Sequence, residues 1–98
     1  MKAGSPLQQE AAIAAFGALA QPTRLHLYRL LAAQGARGMS AGNIAERLGV
    51  APSSLSFHLT NLVEAGLITQ KRSGRQLIYA AAPATIAAMQ DYLTALAR

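Results

Sequence analysis

Apolar residues recur along the chain at helical spacing in five stretches, with one pair of strand-like stretches between the fourth and the fifth. After a loose start at Met1–Pro6, Ile13, Phe16 and Leu19 stand among alanines and predict a first helix over Leu7–Ala20. Gln21-Pro22-Thr23 restarts the chain, because proline is tolerated in a first helical turn and breaks a helix deeper in. Leu27, Leu30 and Leu31 then form the apolar stripe of a second helix, which Gly35 and Gly38 end. Ser40 is placed to cap a short third helix through Leu48, with Ile44 and Leu48 facing inward at i and i+4 and Gly49 making the turn that follows. A fourth helix starts near Pro52 and ends at Gly66. Leu67–Arg72 and Gln76–Ala81 read as strands, joined by Ser73-Gly74 as the turn of a hairpin. Pro83 opens a last helix to Arg98, in which Ile86, Met89, Leu93 and Leu96 repeat at intervals of three, four and three, the seam spacing of a helix that packs on another helix.

This order, ααααββα, is mostly α with a small β-hairpin and has the parts of a winged helix-turn-helix. One domain over 1–98 is expected, with the helix-turn-helix over 40–66, the wing over 67–81, and terminal helices at 7–20 and 83–98. On the fourth helix, Leu55, Leu59 and Leu62 share one narrow sector and must face the core. Ser53, Phe57, Thr60 and Glu64 lie opposite, flanked by Ser54, Ser56 and Asn61, while His58 sits at the border. That outer face is short, mostly neutral and rich in hydroxyls, which suits close approach to phosphates and base edges. Phe57 on such a face has two readings, contact with thymine methyls or tucking against the wing.

Charge sharpens the picture. Lys and Arg outnumber Asp and Glu by 9 to 4, for a formal charge of +5, the footprint of a polyanion binder, although a membrane surface would satisfy it as well. Lys71, Arg72 and Arg75 stand on the hairpin directly after the candidate reading helix, where the readings are contact with DNA phosphates or the minor groove, or a solvated tip. Arg24, Arg29 and Arg47 are weaker candidates. No apolar run approaches the roughly 20 residues that cross a bilayer, no cleavable leader stands at the N-terminus, and cysteine is absent, so a cytoplasmic protein without disulfides is expected. Catalysis is not expected, because Ser53, Ser54 and Ser56 lack a strained elbow and an activating acid–histidine pair. No cofactor is implied, and His26 and His58 have no obvious metal-ligating partners in sequence.

Leu48-Gly49-Val50-Ala51-Pro52-Ser53-Ser54-Leu55-Ser56-Phe57-His58-Leu59, followed by Leu62 and Ala65-Gly66-Leu67-Ile68, resembles the recognition region of the ArsR/SmtB family of bacterial metalloregulatory repressors. Ala20-Gln21-Pro22-Thr23-Arg24-Leu25 resembles that family's second-helix start, and Arg72-Ser73-Gly74-Arg75 with Ile78-Tyr79 its wing and closing strand. The resemblance implies a homodimer that binds an inverted repeat in double-stranded DNA, represses transcription and is released by an inducer. It also implies an interface built from the terminal helices, for which Ile13, Phe16, Ile86, Met89, Leu93 and Leu96 are the candidates, since their stripe would otherwise stay partly exposed on an alanine-rich domain. The family's sensing ligands are missing. Met39-Ser40-Ala41-Gly42-Asn43 and the terminal Ala97-Arg98 hold no thiol where branches of the family place cysteine pairs, and Asp91 stands on the last helix without a histidine, so no metal site is expected and the inducer is unknown. The alternative function is a winged helix used as a protein-interaction module.

Overall fold

The computed structural model describes residues 7–98, and the loose start read at Met1–Pro6 lies outside the described residues. Helix α1 spans Gln9–Leu19 and buries Ala12, Ala15 and Ala18. The expected stripe of Ile13, Phe16 and Leu19 is therefore rotated away from the core: Phe16 and Leu19 are half-buried at its margin, and Ile13 is 63% exposed. Three methyl groups in a row let α1 lie close on α2, α4 and α5, which larger side chains would hold off.

Helix α2, Pro22–Gln34, starts where proline permits it, and the Gln21 side chain caps it by accepting a hydrogen bond from the Arg24 backbone N–H at 2.8 Å. Leu27, Tyr28 and Leu31 are its buried face. Burial raises the Tyr28 phenol above its ordinary value, so it stays uncharged at neutral pH. A short 3₁₀ turn at Gly35–Arg37 leads into strand β1, Met39–Ser40. Helix α3 runs over Ala41–Leu48, capped by the Ser40 hydroxyl, which accepts from the Asn43 N–H at 3.3 Å. Gly49 ends α3 in the left-handed conformation at φ +67°. Helix α4 covers Pro52–Glu64 and buries Leu55, Leu59 and Leu62, as their shared sector requires.

Strands β2, Ile68–Ser73, and β3, Gln76–Ala81, form the wing. Ser73 pairs with Gln76, so the turn is Gly74-Arg75, one residue later than the sequence reading. Gly74 has φ +64° and among the described residues no non-glycine has a positive φ, Arg75 included, the pattern required of a two-residue turn with glycine in its first central position. The sheet has three antiparallel strands in the order β1-β3-β2, with Met39 opposite Tyr79 and Ser40 opposite Ile78. The hairpin thus gains a third strand that tethers its base to the start of α3.

Helix α5, Pro83–Leu96, returns to α1. Its Met89 is 4% exposed and belongs to the core of its own chain, together with Leu27, Leu31, Ile44, Leu55, Leu62, Leu67 and Ile68. Met89 is accordingly not available to a partner, and Ile86 packs against the same core, whereas Leu93 and Leu96 are exposed. The even stripe splits: Ile86 and Met89 in its first half meet the core, and Leu93 and Leu96 in its second half do not.

Gly38 generates a test. It and Gly35 share φ +66°, but a Cβ on Gly38 would collide with the Tyr79 carbonyl and meet Ile78 Cγ2 at 3.0 Å, whereas one on Gly35 meets nothing within 4 Å. Gly38→Ala should cost at least about 2 kcal/mol in denaturant unfolding and more than Gly35→Ala, which carries the backbone strain alone. Equal losses would mean that β1 does not approach β3 this closely.

Candidate nucleic-acid interface

Helix α4 is pinned from below by three leucines and is open above. Ser53, Ser54, Ser56, Phe57 and Thr60 are exposed, and His58 and Asn61 are half-buried at its flanks. None of the exposed residues contributes to the core, so their side chains are free for a ligand. The Phe57 ring is 63% exposed and meets His58 edge-on, with centroids 5.8 Å apart and planes at 65°. Of its two readings, tucking against the wing is not observed. The Asn61 amide donates to the Phe57 carbonyl one turn back, at 3.1 Å, which orients its side chain along the helix and commits one of its donors. His58 is engaged as well: its Nδ1 lies 3.3 Å from Nη1 of Arg24 on α2, a contact across 34 residues that the sequence reading missed.

The wing supplies the charge. Lys71, Arg72 and Arg75 are all exposed, and Lys71 and Arg72, adjacent on one strand, direct their side chains to opposite faces of the hairpin. Arg72 and Arg75 wall a groove of about 490 Å³ whose other side is the start of α3, at Ser40, Ala41, Gly42 and Asn43. The first turn of α3 therefore stands beside the wing cations, and this position is set by β1, the strand too short to read. Arg47 lies with Arg37 and Glu46 along a neighbouring groove of about 440 Å³ that shares Ser40, Asn43 and Gln76 with the first.

On the terminal helices, Ile13, Leu93 and Leu96 are exposed, Phe16 and Ile86 are half-buried, and Met89 is internal. Among the described residues no three of His, Cys, Asp or Glu gather where they could hold a metal ion, and no helix is long and apolar enough to cross a membrane.

A helix-turn-helix domain family model matches residues 19–71, from the end of α1 into the wing. A probable mercury resistance operon repressor of Streptomyces lividans is 36% identical over 64 residues, which are 65% of this chain and 49% of that protein, so the match spans about half of that relative's length. An ArsR-like transcriptional regulator from Rhodococcus sp. RHA1 has the same fold with a TM-score of 0.80 at 27% identity, over 90% of this chain and 80% of that one. A homodimeric winged helix-turn-helix DNA-binding domain from Mycobacterium bovis, a possible ArsR-family regulator, gives a TM-score of 0.72 at 27% identity, over 90% and 79% of the two chains.

If the outer face of α4 has no structural duty, its residues should be replaceable without loss of stability. Phe57→Ala should leave the unfolding free energy within about 0.5 kcal/mol of the parent, and Leu59→Ala, on the buried side, should cost about 2–5 kcal/mol. Chemical denaturation of the two variants checks this, and a large destabilisation by Phe57→Ala would give that ring a packing role.

Proposed function

Because the chain belongs to the ArsR family of winged helix-turn-helix transcriptional regulators, we propose that it is a sequence-specific repressor that binds an inverted repeat in duplex DNA as a homodimer. The carrying observation is the division of α4: three buried leucines fix the helix, and five exposed residues beside a basic hairpin are left without a structural task. Hydroxyls at Ser53, Ser54, Ser56 and Thr60 donate and accept, so they suit base edges and phosphates in a major groove, and Phe57 offers an apolar edge to thymine methyls. Asn61 contributes its remaining amide groups, and His58 a ring nitrogen. Lys71, Arg72 and Arg75 add sequence-independent attraction to the backbone. The protein is a binding protein rather than an enzyme and works in the cytoplasm. With no cysteine in the chain, its release from DNA is driven by something other than a thiol-directed metal or oxidant.

The two arms fail differently when altered. Replacing Ser54, Ser56 or Phe57 by alanine should weaken operator binding by about 1–3 kcal/mol for each true base contact and spare most of the affinity for random DNA. Replacing Lys71, Arg72 or Arg75 should weaken both alike and reduce the slope of log affinity against log salt by roughly one for each phosphate that the wing no longer neutralises. Electrophoretic retardation on the protein's own promoter, repeated over a salt series, measures both. No retardation at moderate salt would favour the protein-interaction module instead.

The dimer follows from apolar surface left on two adjoining helices. Ile13 on α1 and Leu93 and Leu96 on α5 are large and exposed, and a two-fold dimer that reads an inverted repeat needs its paired α4 helices in successive major grooves about 34–36 Å apart. Leu93→Glu with Leu96→Glu should sediment as a folded monomer, since neither side chain supports the core. A stable dimer of that variant would move the interface elsewhere.

A further inference from the structure

Arg24 is tied into the structure at three points. Its backbone N–H is held by the Gln21 side chain. Its Nε donates to the Ala18 carbonyl at 2.6 Å, in the last turn of α1, where helix carbonyls lack intrahelical partners and favour a nearby cation. Its Nη1 reaches His58 Nδ1 at 3.3 Å. Arg24 and His58 are both half-buried, which restricts their rotamers.

The chemistry at His58 Nδ1 has one solution. A guanidinium has five N–H donors and no acceptor, so Nδ1 of His58 must accept. An imidazole nitrogen that accepts carries no proton, and the ring proton of neutral His58 is then on Nε2. We propose that Arg24 is a positioning residue that locks His58 in this tautomer, so that α4 presents a fixed Nε2–H donor to a phosphate of the bound duplex. This role rests on the reading of α4 as the DNA-contacting helix. The fork is what allows it: one nitrogen anchors on α1 while another aims at the ring, whereas the point charge of a lysine gives no comparable two-directional grip. The anchor on α1 also means that the orientation of His58 depends on a third helix besides α2 and α4.

The test begins with the free protein. Long-range proton–nitrogen correlation spectra of the two histidines should show His58 with Nδ1 unprotonated and Nε2 protonated, and exposed His26 as an averaged mixture of tautomers. Arg24→Lys should return His58 to a mixture. Operator affinity then separates positioning from simple capping of α1. His58→Gln places an amide near the Nε2 position and abolishes the acceptor at Nδ1. Arg24→Lys should lower operator affinity about three- to tenfold in the parent, the effect of removing one well-placed hydrogen bond, and should have no further effect in the His58→Gln background. An equal decrease in both backgrounds, or a His58 protonated on Nδ1 in the parent, overturns the proposal. A parent that has the expected tautomer but retards no duplex overturns the DNA reading and this role with it, and one that retards duplex with the wrong tautomer overturns the Arg24 role alone.

Discussion

The structure depends on a single division of labour along α4. Leu55, Leu59 and Leu62 enter the core shared by α1, α2, α3 and the sheet, and each is almost fully removed from water. At roughly 25 cal/mol per Å² of apolar area, three such side chains hold the helix with several kcal/mol. That surplus is what permits the opposite side to be small, polar and uncommitted. A helix that relied on its outer face for charge pairs or packing would have nothing to offer a groove.

Much of this was legible because it is periodic. The spacing of the three leucines, the proline starts of α2, α4 and α5, the Ser40 cap and the glycine stops each carry a local physical reason, and the elements lie within a residue or two of where those reasons put them. The recognition region was legible as a resemblance to a family, which the comparisons with known proteins support. Features that depend on distant partners were not legible. Strand β1 has only two residues, too few to alternate, and exists because Gly38 lets the backbone approach Tyr79. The hairpin turn slipped by a residue because both Ser73-Gly74 and Gly74-Arg75 contain the required glycine, and only the pairing of Ser73 with Gln76 chooses between them. The approach of Arg24 to His58 joins residues 34 apart and has no signature in either segment.

The terminal helices misled in a more instructive way. In α1 the pattern was read from the large apolar residues, whereas the buried face is made of alanines. Alanine offers little area to bury, so its advantage there is closeness rather than hydrophobic gain. In α5 the stripe was read as continuous, whereas Met89 turns inward and Leu93 and Leu96 do not. Periodicity identifies a face but not what covers it.

These two deviations have a common consequence. A chain of this size that fills part of its core with methyl groups, and leaves Ile13, Leu93 and Leu96 in water, has some of its larger apolar side chains where its own body does not cover them. Ile13 lies on α1 and Leu93 and Leu96 on α5, two helices that pack on each other. The same α1 ends at the Ala18 carbonyl that anchors Arg24, and Arg24 in turn meets the flank of α4. The surface proposed to join two copies and the surface proposed to meet DNA are thus not independent patches on a scaffold. They are opposite ends of one short chain of contacts, and a disturbance of α1 has a direct structural route to the helix that carries the polar face.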